Sequence, residues 1–184
     1  MLRIIAGEKR GAKIQTLEGM TTRPLRDRIR QALFNILQGR IRGEAVLDLF
    51  AGSGAVGLEA LSRGAARTVF VEADPAAQNV IRANIGKLGY EAKSQVLGGL
   101  LPGALASVRG SFNLVFIMPP YRKNLGPPVV AELSRRGLVA PEGCIVVEIE
   151  KGEEWPAELE GGWHIADDRS YGITRLLFLE RGEQ

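Results

Sequence analysis

Between Ala45 and Leu61 the chain reads AVLDLFAGSGAVGLEAL, and this stretch holds the first residues equipped for chemistry. Gly52, Gly54 and Gly57 permit a tight turn and a close approach of backbone to a ligand that a Cβ would block. Their spacing fits a dinucleotide site with pyrophosphate at a helix N-terminus. Asp48 points elsewhere. At the carboxyl end of the preceding strand, it faces the crevice in which such folds bind ligands. A carboxylate there repels pyrophosphate and attracts an ammonium group, so the ligand expected is a nucleoside that carries positive charge. S-adenosylmethionine (AdoMet), with its ammonium and sulfonium, fits; a dinucleotide, or a loop that merely joins strand to helix, are the alternatives. Glu72 ends the next apolar run about 20 residues past the first glycine, where a ribose hydroxyl would be gripped. Met118-Pro119-Pro120-Tyr121 follows a later one.

These residues need elements to position them. Leu2 to Thr16 reads as a hairpin, with LRIIAG and AKIQT joined through EKRG. Pro24 suits the first turn of a helix. Leu25, Ile29, Ala32, Leu33, Ile36 and Leu37 then form one stripe, with Arg23, Arg26 and Arg30 on another face and Gly39 and Gly43 as its end. The central strand becomes a helix by Val56. A second strand covers 66–73, and Asp74-Pro75 caps a helix that runs to Leu88 and closes at Gly89. Strands are expected at 91–97, 112–117 and 143–150, a weakly patterned helix in GGLLPGALAS, and a firmer one over 127–136. Residues 163–166 and 174–180 read as a closing antiparallel pair joined through DDRSYGI. Strands alternating with helices imply an α/β fold: a doubly wound, mostly parallel sheet with right-handed crossovers and an antiparallel strand at one side. The ends of the first, second and fourth strands then surround one crevice. The chain divides into a basic hairpin and helix over 1–42 and a main domain over 43–184.

With 184 residues, 45% hydrophobic and 24% charged, the composition is that of a globular protein with one core. No apolar run reaches the ~20 residues that span a bilayer, and no signal-peptide core opens the chain, so a cytoplasmic protein is expected. The single cysteine, Cys144, lies in the apolar run CIVVEI and reads as a buried, inert thiol; with one histidine it makes no usual zinc site. A metal-free monomer is expected. His164 reads as a packed or surface histidine. Charge is uneven: residues 1–42 carry ten Lys/Arg against three Asp/Glu, a net +7, and the remainder is −4. That asymmetry points to a polyanion, nucleic acid first, with a solvated basic face as the plain alternative. Lys9, Arg10, Arg23, Arg26, Arg28 and Arg30 are the candidate phosphate contacts; for Arg28, beside Asp27, a tie of its helix to the core is an equal alternative.

With DLFAGSG, VEADP and PPY in this order, the chain resembles the Rossmann-like, class I AdoMet-dependent methyltransferases. More closely it resembles the RsmD family, which methylates the exocyclic N2 of a guanine in 16S ribosomal RNA. RIIAGEKRGAKI, TRPLRDRIRQALFNIL, LDLFAGSGAVGLEALSRGA and the late YGITRL extend the likeness over nearly the whole chain. The resemblance implies a seven-stranded sheet and a ribosomal RNA or small-subunit partner. It implies that Asp48, Phe50, Ala51, Gly52, Ser53 and Gly54 hold the methionine part of AdoMet, and that Glu72 with Ala73 holds the ribose. Gly99 stands where relatives usually carry an aspartate that meets the adenine amino group. In the fourth-strand motif, Pro119, Pro120 and Tyr121 match directly, Tyr121 as the ring that stacks on a flipped base. Met118 stands where the family has Asp or Asn, and a thioether accepts hydrogen bonds only weakly. Tyr171 and Gly172 are placed at the pocket by the resemblance alone. Three readings stay open: a guanine-N2 rRNA methyltransferase, an AdoMet- or RNA-binding protein with impaired catalysis, and an N6-adenine DNA methyltransferase.

Overall fold

The computed structural model describes residues 2–17, 27–156 and 159–182. Strands β1 (Leu2–Arg3) and β2 (Lys13–Ile14) pair antiparallel and close the expected hairpin. Helix α1 (Asp27–Ile36) turns Ile29, Arg30, Leu33 and Phe34 inward; the expected start at Pro24 and Leu25 lies outside the described residues. Its apolar stripe differs from the sequence reading. Ile36 is 37% exposed, and Phe34 fills the core instead, its ring 5.8 Å from that of Phe116.

The remaining elements are β3 (Ala45–Leu49), α2 (Ala55–Ser62), β4 (Arg67–Glu72), α3 (Pro75–Leu88), β5 (Ser94–Gly98), β6 (Phe112–Ile117), α4 (Gly126–Arg135), β7 (Val139–Glu150), β8 (Trp163–Tyr171) and β9 (Thr174–Arg181). Seven of the strands form one sheet in the order β5-β4-β3-β6-β7-β9-β8. The five from β5 to β7 run parallel, and β9 inserts antiparallel between β7 and β8. Strands β3, β4 and β6 read as unbroken apolar runs because helices cover both sheet faces. Helix α3 is bounded as expected: Asp74 Oδ1 accepts from Ala76 N at 2.9 Å, and Gly89 closes it at φ 74°.

Four boundaries depart from expectation. β5 starts at Ser94 because Glu91–Lys93 forms a 3₁₀ turn, and GGLLPGALAS likewise yields only a 3₁₀ turn, Gly103–Ser107. β7 begins at Val139; a register shift between Phe112 and Leu114 absorbs Pro141, Glu142 and Gly143, which alone look like a turn. β8 runs through Asp167, Asp168 and Arg169 to Tyr171, leaving Gly172 and Ile173 as the connection to β9. The charges that suggested a loop lie on an edge strand, paired as Arg169–Asp167 and Arg175–Asp168 at 2.9 and 2.6 Å.

Ile4, Ile14, Leu33 and Phe34 share one buried cluster with Phe70, Ile81 and Phe116, so residues on both sides of position 43 build the same core. A second cluster packs α4 against the other face. Cys144 is fully buried, and burial pushes its thiol up to about 11. Among the described residues no helix is long and apolar enough to cross a membrane.

Candidate active site

The carboxyl ends of β4, β3 and β6 lie side by side, and each delivers one part of the site. The loop after β3 turns through left-handed conformations at Phe50 (φ 58°), Gly52 (φ 58°) and Gly54 (φ 77°). The glycines adopt these freely; at Phe50 the backbone is strained, a mark of functional loops. Gly57 serves another purpose. A Cβ there would lie 2.3 Å from Phe70 Cε1, so α2 can approach β4 only without one.

Asp48 differs from expectation in its exposure. It is 1% exposed, and its Oδ2 accepts from Gly57 N at 2.9 Å, which fastens the strand to the start of α2. Burial raises its carboxyl to about 8, Glu72 adding to the rise and the Gly57 bond opposing it. An ammonium group nearby would oppose that rise and favour the ionised form.

Glu72 stands half-buried at the end of β4 and spans the loop. Its Oε2 accepts from Gly52 N at 2.8 Å and its Oε1 from Asp74 N at 3.0 Å. A carboxylate offers about four lone-pair sites, so acceptor capacity is left for ligand hydroxyls. Its carbonyl takes Gly99 N at 3.3 Å, which brings Gly99 (φ 131°) to the same edge, next to Leu100, 79% exposed. Ala73 is exposed beside it, and Ser53 is nearly buried. The left-handed loop, a carboxylate with acceptor capacity to spare and the buried acid of Asp48 fit a nucleoside that bears an ammonium group.

The turn after β6 is the third part. Met118 N donates to Leu49 O at 3.3 Å, which sets Met118-Pro119-Pro120-Tyr121 alongside the glycine loop. Met118 itself packs against the core. The Tyr121 hydroxyl bonds to Glu148 and, at 2.9 Å, to Thr174 Oγ1. Burial pushes the Glu148 acid up to about 7, with the Tyr121 bond opposing the shift. The β8–β9 turn reaches this same edge because Thr174 lies opposite Glu150 at the end of β7, so Tyr171 and Gly172 are nearby.

The candidate phosphate contacts separate. Arg10 and Arg28 are exposed, and Arg23 and Arg26 lie outside the described residues. Lys9 is half-buried, its backbone N–H on Ser62 Oγ at 3.0 Å and its ammonium 5.8 Å from the Tyr90 ring. Arg30 is corrected: it is fully buried, 3.0 Å from Asp27 and 3.7 Å from Glu59, and it also donates to the Arg3 carbonyl. A guanidinium enclosed in this way meets no phosphate. It ties α1 and β1 to α2, the structural role considered for Arg28. His164 is exposed.

Sequence reasoning missed three residues. Asn84 is fully buried on α3; its Oδ1 accepts from Gln15 N at 2.7 Å and its Nδ2 donates to Gln15 O and Ser53 O at 3.0 Å, so it links the backbone just after β2 to the glycine loop. Glu148 and Thr174 were the others. The available signal was a polar residue at an inward position: Asn84 among Ile81, Ile85 and Leu88, Glu148 within CIVVEI.

This sheet order and glycine-loop crevice define a Rossmann-like class I methyltransferase fold. The model of the family described as conserved hypothetical protein 95 matches residues 2–180, and the chain belongs to that family, the RsmD family of the sequence comparison. It is 34% identical over 183 residues to the ribosomal RNA small subunit methyltransferase D of Escherichia coli, covering all of this chain and 91% of that one. It is 33% identical over 176 residues to the protein of the same name from Haemophilus influenzae, covering 94% of this chain and 90% of that one. The solved structure of yhhF from Escherichia coli superposes with a TM-score of 0.88 at 34% identity, covering 100% of this chain and 99% of the other.

Proposed function

We propose that this methyltransferase transfers a methyl group from AdoMet to the exocyclic N2 of a guanine in small-subunit ribosomal RNA. The observation that carries the reading is the Pro119-Pro120-Tyr121 turn, set beside a glycine loop whose neighbouring acids suit an ammonium-bearing nucleoside. The names of the relatives support the RNA substrate. Asp48, Phe50, Ala51, Gly52, Ser53 and Gly54 would hold the methionine part, Glu72 and Ala73 the ribose, and Gly99 the adenine side. When bound, AdoMet supplies a methyl group already activated by its sulfonium.

The chain's own task is then positioning, which supplies much of the acceleration for a substrate pair so disposed. A base amino group inside a helix cannot reach the crevice, so the nucleotide is turned out of its stack. Tyr121 carries the base on its ring, a contact that contributes about 1–3 kcal/mol. The Pro119 carbonyl accepts one amine hydrogen and aims the nitrogen lone pair inward. The N-terminal basic segment, through Lys9, Arg10, Arg23, Arg26 and Arg28, grips the phosphates. Met118 favours a second reading, a protein that binds AdoMet and RNA but turns over slowly. The experiment supplies methyl-labelled AdoMet to isolated small subunits, free rRNA and DNA, then digests each to nucleosides. Label in N2-methylguanosine is expected; label only in N6-methyladenine of DNA, or none in RNA, contradicts the proposal.

A further inference from the structure

Glu148 is an acid in the stretch of β7 that builds core: Cys144, Ile145, Val146, Val147 and Ile149 are all buried around it, and Glu148 itself is 4% exposed. Among the described residues it forms no ion pair. Enclosing a carboxyl without a cation is costly, and an apolar residue would serve the core better. What the carboxyl does hold is the Tyr121 hydroxyl, to which Thr174, also buried, contributes a second hydrogen bond at 2.9 Å. A phenol can donate to one of these and accept from the other, so the pair uses its capacity in both roles. The three side chains come from three places in the sequence, the turn after β6, β7 and β9, brought together by the insertion of β9 beside β7.

Such an anchor has a geometric consequence. The ring torsion of a tyrosine is broad when only packing restrains it. A phenolic O–H prefers the plane of its ring, so two directed partners at the oxygen restrict how the ring turns about its long axis. We infer that Glu148 and Thr174 are positioning residues for the target base, fixing through the Tyr121 hydroxyl the plane of the ring on which that base stacks. The inference rests on the reading of Tyr121 as the base platform. Its benefit is preorganisation: a ring already set loses less freedom when the base arrives.

The test uses Glu148→Gln, Glu148→Val, Thr174→Val, Tyr121→Phe and the double variant Glu148→Val/Tyr121→Phe in the full chain. Glu148→Val and Thr174→Val should raise KM for rRNA roughly 3- to 10-fold, with AdoMet affinity unchanged. Glu148→Gln, whose amide oxygen still accepts the phenol, should restore KM to within about threefold of wild type. In the Tyr121→Phe background Glu148→Val should add nothing further, because the two changes remove one interaction. A second readout is independent of turnover. In protein with labelled tyrosine, of which the chain has three, the ring signals absent from Tyr121→Phe should shift or broaden in Glu148→Val and Thr174→Val and hold in Glu148→Gln. Additive effects in the double variant, or ring signals indifferent to Glu148→Val and Thr174→Val, overturn the inference. A wild type that leaves rRNA unmethylated while these ring signals shift as expected contradicts the function proposed above, not the anchor.

Discussion

Two acids at the crevice, Asp48 and Glu148, are held above their ordinary range chiefly by burial, and each makes stability depend on pH. For Glu148 the folded acid titrates near 7 and the unfolded one near 4.5. Between these values the folded protein keeps a proton that the unfolded chain releases. The contribution is therefore fully present below the lower value and is lost as pH rises through the upper one. Unfolding free energies of wild type, measured against Glu148→Gln in urea across pH 4 to 8 or so, should fall relative to the variant over that window, by at most about 1.4 kcal/mol per unit. A constant difference would refute the assignment. Met118 is the other residue whose chemistry decides something. Replacing it by aspartate restores an acceptor for an amine, and a hydrogen bond to a charged group contributes about 1.5–3 kcal/mol. Realised in the transition state, that is roughly a 10- to 150-fold gain in kcat. Labelled-methyl assays of wild type and Met118→Asp side by side measure it; no gain means that Met118 does not limit turnover.

At the scale of elements, the close approach of α2 to β4 is the feature most open to test. Alanine at position 57 favours an isolated helix over glycine by about 1 kcal/mol. Here its Cβ would lie 2.3 Å from Phe70 Cε1 and 2.8 Å from Thr68 Cγ2, and overpacking of this kind costs about 1–3 kcal/mol. Strain outweighs propensity, so Gly57→Ala should lower the urea midpoint; a higher midpoint would deny the close packing. This element pair also shows what a sequence discloses. The apolar runs of β3, β4 and β6 and the Asp74 and Gly89 caps were legible because their signals are local. The burial of Arg30 was not, since its partner Glu59 sits on a helix buried on every side, where a glutamate reads as solvated. Glu148 and Thr174 were hidden for a related reason: their contact with Tyr121 exists only because β9 inserts beside β7. β8 was underestimated because a strand that carries paired charges along a sheet edge looks, residue by residue, like a loop.

Over the whole molecule, Ile4, Ile14, Leu33 and Phe34 of the N-terminal segment are built into the main core, so the described cations beside them keep a fixed relation to the crevice. Among the described residues, its arginines divide by exposure, and the division is measurable. Arg10→Ala and Arg28→Ala should each lower the slope of log affinity for rRNA against log salt by about 0.7–0.9. Arg30→Gln should leave the slope alone and reduce stability, because it removes a buried cation from Asp27 and Glu59. Equal slopes in all three variants would remove the basic face from RNA binding. Everything at this scale depends on the crevice between β3 and β4 seating the methyl donor. The most direct measurement is calorimetric titration of the wild type and Glu72→Ala with AdoMet and its demethylated product. The account predicts one-to-one binding by the wild type and a loss of about tenfold or more in Glu72→Ala, the change expected for a charged hydrogen-bond partner. No heat with the wild type, or equal affinity in both proteins, would contradict it.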